Sequence, residues 1–375
     1  MKCGDVNNHW EDYLNGRYTE NVEQQIDKHI EHCDVCRNRL EQDAMKEQPI
    51  PNQDEWNKKG KKIIRNAKLK NRLSTFFMFI LFIIGLVMAS SLLTSIFYTW
   101  NDKIERANLV NQTFFQMTSS NIVLQPMDLD TTPFFKVNYE YDVQKLVGRE
   151  MKKIGTHEPS LLLNHFTNID YPLAYSEGVS LTDIYFVNRN IKANYSKYKS
   201  AWQTLEKLHE GTVSEVGVTF SEGLTYHELL SMISNYDISL AWAGIETDRF
   251  EAYEYEIMYV GHDVIGMNEN SLFYLSHTNG VNSINNVDGE IRERIVKDSL
   301  NYLIENKKYL KQLNRLSSIK AFDAEAALTY IEENGVNLYG AILTGPTKEL
   351  LKLQNEEKIL FATMGEVDFW NWDKW

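Results

Sequence analysis

Cysteine is scarce in this sequence and confined to one end. The 375 residues hold only Cys3, Cys33 and Cys36, and none follows Cys36. A disulfide framework for the long remainder is therefore excluded. The chain also lacks the pieces of an enzyme. There is no Gly-x-Ser-x-Gly elbow. Beyond residue 100 the histidines are His157, His165, His209, His227, His262 and His277, and no two have metal-ligand spacing. Gly345-Pro346-Thr347 has neither a Walker lysine pattern nor a glycine triplet, so it reads as a turn and a helix-opening proline rather than an anion site. Glu254 and Glu256 alternate as on the solvated face of a strand. Nothing meets the geometric requirements of catalysis, and the chain reads as a non-enzyme. A basic folded domain is missing too. The net charge is −13 and the basic run is short, so direct nucleic-acid binding is not expected.

What cysteine there is has a pattern. His29 and Cys33 stand four residues apart and share a helix face, Cys36 follows one turn on, and Cys3 is the remaining cysteine. The set Cys3, His29, Cys33 and Cys36 supplies three sulfurs and an imidazole, the donors of a closed, structural Zn²⁺ site, one ion per chain. The plainer alternative is three unrelated buried cysteines beside a surface histidine. His32 is a weaker ligand because it adjoins Cys33 and points off that face. His9, beside Trp10, is more readily a packing residue. A domain of about fifty residues has too little core to be comfortable alone, and a structural metal is a standard remedy.

The charge is uneven along the chain, and the length suggests two or three units. Residues 1–57 carry 13 acidic and 6 basic side chains, residues 58–72 carry 8 basic and none acidic, and residues 101–375 carry 39 acidic and 25 basic. Val6, Trp10, Tyr13 and Leu14 line one face of a helix over 4–15, stopped by Gly16. Thr19 is placed to cap a second helix whose face holds Val22, Ile26, His29, Ile30 and Cys33. A third helix runs from Asp34 to near Glu47 and is ended by Pro49 and Pro51. A fourth, within 51–73, carries Trp56, Gly60, Ile63, Ile64 and Ala67 on one stripe of an otherwise basic surface. That stripe suits either anionic lipid or a partner groove.

Residues 74–98 contain no charge. At ~1.5 Å per residue they exceed the ~30 Å hydrocarbon core, enough for one transmembrane helix with some tilt. The stretch starts too far in and is too long for a signal peptide. Phe76, Phe77 and Phe79 mark one end, and Phe97, Tyr98 and Trp100 the other. Eight basic residues precede it and only Lys103 and Arg106 follow closely, which places the N-terminus in the cytoplasm and the C-terminal part outside. Gly85-x3-Ala89 is a candidate helix-packing spot.

Residues 99–135 read as a polar stem. The remainder mixes strands (134–143, 216–220, 238–244, 336–343 and 358–364) with helices (201–209, 226–233, 292–310, 321–333 and 347–353). A strand–Thr–helix pattern occurs twice, at 216–232 and 338–353, suggesting an internal pseudo-repeat. The expected fold is multidomain: a small all-α zinc-binding helical domain (1–50), a basic fourth helix or juxtamembrane linker (51–73), one transmembrane helix (74–98), the stem (99–135), and an α+β extracytoplasmic domain (136–375).

A ligand near residue 3, then two short helices with His29-x3-Cys33-x2-Cys36 at the end of the second, resembles the zinc-binding anti-sigma domain over roughly residues 1–70. Toward the other end, ValThrPheSerGluGlyLeuThr (218–225), LeuAlaTrpAlaGly (240–244), the run from Tyr339 to Leu353 and the closing TrpAsnTrp (370–372) resemble the sigma-factor-regulator C-terminal domain. The stem and membrane helix are similar to its N-terminal companion. The whole layout is similar to membrane anti-sigma factors of the anti-sigma-M type in Bacillus-type bacteria.

The resemblance implies a membrane-bound protein that sequesters an extracytoplasmic-function sigma factor in the cytoplasm and releases it on an envelope signal. In that family a helix beyond the zinc core wraps part of the sigma factor. The partner-binding residues expected here are Trp10, Leu14, Leu40, Trp56, Ile63 and Ile64. The acidic balance of 1–57 suits a basic partner. The membrane helix or outer domain is a candidate contact for a second membrane protein. The competing reading is a redox switch, in which the zinc-bound thiolates oxidise and free a cytoplasmic partner.

Overall fold

His9 splits the first expected helix in two. α1 (Cys3–Asn8) and α2 (Trp10–Leu14) meet at this residue, whose backbone (φ −109°, ψ 10°) is not helical. In the computed structural model the described residues are 1–17, 19–46, 53–169, 184–191, 194–250, 253–260, 263–269, 288–317 and 322–372, in two units, Met1–Ile83 and Ile84–Trp375. Pro49, Pro51, His262 and His277, and the side chain of Trp56, lie outside them.

In the first unit, α3 (Glu20–His32) follows Thr19, which has the extended backbone of an N-cap but makes no side-chain cap bond. Glu20 and Glu23 still favour the positive end of the helix. Cys33, extended at φ −127° and ψ 107°, ends α3 and opens α4 (Asp34–Ala44). Val6, Trp10, Ile26, Ile30 and Cys36 form the core, edged by Tyr13, Val22, Cys33 and Leu40. α5 (Gln53–Thr99) is one unbroken helix of 47 residues, where a fourth helix and a separate transmembrane helix were expected. The change from basic to apolar side chains near residue 73 leaves backbone hydrogen bonding untouched, and no proline falls within it. Its apolar part exposes Phe76, Phe79, Phe82 and Leu92 by more than half, as suits a helix solvated by hydrocarbon. Among the described residues it is the one helix long and apolar enough to cross a membrane.

In the second unit, Asn101 (φ 61°) and Asp102 (φ 47°) end that helix. The segment expected to be a stem is instead α6 (Lys103–Thr118) followed by β1 (Ile122–Thr132), both parts of the domain. From Val110 to Thr118 every α6 residue is buried, polar Asn111, Gln112, Thr113 and Gln116 included. A helix surrounded by protein has no wet face, so its sequence shows no amphipathic period. β2 (Lys136–Val147) pairs with β1, β3 (Glu150–His157) and β4 (Ser160–Leu162), and β5 (His165–Asn168) extends the sheet from β4. A two-stranded ribbon joins β6 (Tyr185–Val187) and β9 (Ile257–Tyr259).

The second sheet runs β10-β8-β11-β7-β12, antiparallel throughout, from β7 (Thr212–Leu224), β8 (Ser239–Ile245), β10 (Gly266–Asn268), β11 (Leu338–Pro346) and β12 (Ile359–Phe369). β11 is buried at every position, which explains why it reads as a continuous apolar run. α7 (Ala201–Lys207) and α8 (Tyr226–Ile233) flank β7 in sequence. The expected helix 292–310 is two, Gly289–Glu305 and Lys307–Leu316, separated at Asn306 (φ −105°, ψ 30°).

Candidate metal centre and partner surface

The extended backbone at Cys33 builds the cluster. It turns the chain so that the last turn of α3, carrying His29, and the first turn of α4, carrying Cys36, face each other, while α1 brings Cys3. Ligand atoms of Cys3, His29, Cys33 and Cys36 all lie within 4.8 Å of one another. Cys3 Sγ stands 3.4 Å from Cys33 Sγ, and Cys36 Sγ stands 3.6 Å from His29 Nε2. A tetrahedral Zn²⁺ with bonds of ~2.0–2.3 Å needs its ligand atoms roughly 3.5 Å apart, so this cage has the right size as well as the right donors.

The Cys36 and Val35 backbone N–H groups, at the start of α4, and the Cys3 thiol draw the Cys33 thiol down to about 7, Cys36 N–H having the largest effect. Cys36 is pushed up to about 11, first by burial. A cation would reverse that second effect, since a coordinating thiol is deprotonated outright. His32 is turned elsewhere, its Nδ1 lying 2.9 Å from the Lys28 carbonyl. His9 is not in the cluster.

The residues expected at a partner face divide into two kinds. Trp10 is only 4% exposed. Its Nε1–H donates to Asp43 Oδ2 at 2.6 Å, and the Arg39 guanidinium sits over its ring. Trp10 is thus occupied in its own core. Leu40 is half-buried against the same core. Leu14 (47% exposed), Ile63 (68%) and Ile64 (57%) are open. A shallow groove beside α2 and α4 is lined by Trp10, Leu14, Val35, Asn38, Arg39 and Asp43. Val35, an apolar residue between Cys33 and Cys36 that the sequence did not single out, is 74% exposed in the first turn of α4. Asp43 was missed as well. Its carboxyl is held below the ordinary range, first by Lys46 and then by the Trp10 N–H.

The motifs that carried the second resemblance hold the C-terminal domain together. Trp242 of LeuAlaTrpAlaGly is fully buried, and its Nε1–H reaches the Gln116 carbonyl at 3.3 Å, fastening α6. In the closing TrpAsnTrp, Asn371 donates to the Val147 carbonyl and accepts from Arg149 N–H, and Trp372 donates to Asp237 at 2.7 Å beneath the Arg149 guanidinium. Thr225 caps α8 in a capping box with Glu228, whereas Thr347 is engaged with the Thr212 and Ser214 hydroxyls, so the two strand–Thr–helix segments differ in how the threonine is used. Glu215 of β7 is fully buried. It pairs with Lys145 of β2 at 2.7 Å and accepts from Asn121 Nδ2 at 2.6 Å and from the Glu366 backbone N–H at 3.1 Å. Glu256, expected on a solvated strand face, precedes β9 and pairs with Lys197 and Tyr198.

Comparison with known proteins gives a consistent result. Residues 61–152 match the family described as sigma factor regulator N-terminal, and residues 205–366 match the one described as sigma factor regulator C-terminal. The probable anti-sigma-M factor YhdL of Bacillus subtilis (strain 168) is 23% identical over 374 residues, covering 97% of this chain and 98% of that protein. No solved structure matches significantly.

Proposed function

We propose that the chain, which matches the sigma factor regulator families in two segments and an anti-sigma factor over nearly its whole length, is a membrane-anchored anti-sigma factor that sequesters an extracytoplasmic-function sigma factor in the cytoplasm and frees it when the envelope is disturbed. On this reading Cys3, His29, Cys33 and Cys36 hold one Zn²⁺ that fixes α1, α3 and α4 and does no chemistry. Residues 1–50 form the sigma-binding domain, 51–73 extend it toward the membrane, 74–98 span the bilayer, and the C-terminal domain lies outside.

The partner surface is the apolar material the small core leaves uncovered: Leu14 and Val35 beside the groove, then Ile63 and Ile64, with Trp56 on the same expected stripe. Trp10 and Leu40 support that surface from below. The acidic balance of residues 1–57 supports a basic partner by speeding encounter and disfavouring wrong ones. The observation that carries the proposal is the four-residue cage, because it ties the N-terminal domain to the resemblance that the regulator families show further along the chain. The redox alternative gains less: all three thiols belong to the cage, so an oxidant would have to displace the ion before any two of them could pair. The test is recovery of full-length, detergent-solubilised protein from cells through a C-terminal tag. A sigma factor should accompany the wild type in stoichiometric amount together with zinc, and both should be lost from the Cys33→Ala, Cys36→Ala variant. Zinc loss with the sigma factor retained would sink the proposal.

A further inference from the structure

Three bulky residues in the left-handed region gather at one place in the outer domain: Phe134 (φ 66°), Phe135 (φ 60°) and Leu163 (φ 56°). Non-glycine residues of this size rarely adopt that conformation, and their clustering asks for a cause. Phe134 and Phe135 form the tip of the β1–β2 hairpin, and Leu163 lies between β4 and β5. All three face α5. The Phe134 N–H donates to Ser90 Oγ at 2.7 Å, and the Phe135 N–H donates to Thr94 Oγ1 at 3.0 Å. The Tyr98 hydroxyl lies 2.7 Å from the Phe135 carbonyl and 3.0 Å from the Leu163 carbonyl, while the Leu163 N–H donates to the Phe135 carbonyl at 2.8 Å. Ser90, Thr94 and Tyr98 are spaced four residues apart, so they form one polar stripe on the helix. They are 8%, 2% and 2% exposed, whereas Leu92 and Leu93 beside them are 67% and 55% exposed.

The stripe falls inside the charge-free run of 74–98. Ser90 stands about 12 Å along the axis from Tyr98, at ~1.5 Å per residue. The run is about 37 Å long against a hydrocarbon core of ~30 Å. Even with the whole surplus on the outer side, Ser90 would stand roughly 5 Å inside the core. A hairpin tip bonded to it must enter with it.

We infer that the β1–β2 hairpin tip and Leu162–Leu163 are a lipid-inserted wedge, clamped to the transmembrane helix by Ser90, Thr94 and Tyr98, whose occupant is the acyl region of the bilayer leaflet on the outer domain's side. The chemistry of the tip fits. Phe134, Leu162 and Leu163 are 55%, 42% and 41% exposed, so protein does not cover them. Irregular backbone survives at membrane depth only where its polar groups find partners in protein, and the polar stripe provides those partners. The left-handed backbone is what turns the two phenylalanine N–H groups toward the helix. A consequence is that the first sheet of the outer domain and the outward half of α5 move as one piece, which gives the regulator a rigid path from that domain into the membrane.

The inference rests on the membrane-spanning reading of 74–98, and the test separates the two. Phe134→Cys, Leu163→Cys and, as an exposed control on β1 away from the tip, Asp128→Cys are each introduced into the full chain in native membranes. A charged maleimide is added to closed, wall-stripped cells and to membranes opened to both sides, and labelling is read at each site by peptide mass. Labelling of Asp128→Cys in closed cells reports the orientation of the outer domain. In opened membranes the comparison with the tip is independent of orientation. Phe134→Cys and Leu163→Cys should label about tenfold slower than Asp128→Cys or more, because a charged reagent is excluded from hydrocarbon. A benzophenone side chain at position 134 should cross-link to phospholipid. Labelling of both tip sites at the Asp128→Cys rate would overturn the inference, and so would cross-links to protein alone, which would point to a partner membrane protein in place of lipid.

Discussion

The two units of this protein reach a stable fold by different means. The N-terminal domain buries four apolar side chains, Val6, Trp10, Ile26 and Ile30, beside a cage of three sulfurs and an imidazole. The C-terminal domain has a core that runs continuously from α6 through both sheets to the helices Gly289–Glu305 and Ala324–Asn334, and it contains no cysteine. A small core cannot offset the chain entropy of fifty residues by area alone, while a large one can, and it can also carry buried charge. The difference teaches where each unit is vulnerable: one to loss of an ion, the other to an unpaired group in its interior.

The largest expected effect breaks the first half of that contrast. Removing the metal with a chelator, or making Cys33→Ala with Cys36→Ala, should unfold the N-terminal domain, since structural Zn²⁺ in small domains contributes apparent binding energies on the order of 10 kcal/mol. Amide exchange followed by mass spectrometry should show protection lost over α1–α4 and kept over β7 and β11. Equal loss in both units would abolish the contrast.

Next comes the converse. Glu215→Ala leaves Lys145, only 5% exposed, buried without its closest partner. Breaking a buried pair in this way costs about 3–5 kcal/mol. Glu366 lies 3.8 Å from the same ammonium and should soften the loss toward the lower end. The C-terminal domain should melt earlier with zinc content unchanged. A melting point within error of wild type would show that the pair adds nothing.

A smaller effect sharpens the comparison by asking what lies outside both cores. If Trp56 with Ile63 and Ile64 docks into the sigma factor, Trp56→Ala in the full chain should weaken binding by about 2 kcal/mol, roughly thirtyfold. Isothermal titration in detergent, with no bilayer present, would measure it. An unchanged affinity would assign that stripe to the lipid surface.

The smallest concerns Asp43. Its carboxyl is held below the ordinary range by Lys46 and the Trp10 N–H. A carboxyl whose folded pKa is depressed stabilises above its unfolded value, and that stabilisation is lost as pH falls through the folded value. Acid titration of Trp10 fluorescence in the metal-loaded protein should therefore show a transition below the usual carboxylate range. Asp43→Asn should remove it, and persistence of the transition in that variant would assign it to another group.

Much of the architecture was legible where a single face meets water or lipid. α3 and α8 have one wet side, and their periodicity named them within a residue or two. The charge-free run named the membrane helix. The cage residues were legible because cysteine is so rare here that spacing alone left few combinations. Reading failed at α6, whose burial over its C-terminal half erases periodicity. Gly289–Glu305 and Lys307–Leu316 were merged because Asn306 interrupts the helix without glycine or proline to announce it.

By itself, then, the sequence determined the donor set, the charge-free span, the basic flank and the apolar strands. Each depends on residue type at short spacing, which local geometry converts directly into a face or a length. Only the tertiary structure decided that α6 is core rather than stem, that Glu215 and Lys145 meet in the interior, and that a hairpin tip of left-handed phenylalanines bonds to Ser90 and Thr94. Those pairings join residues 41 to 70 positions apart, or in different sheets, and their partners are chosen by packing of the whole domain, which no local pattern encodes.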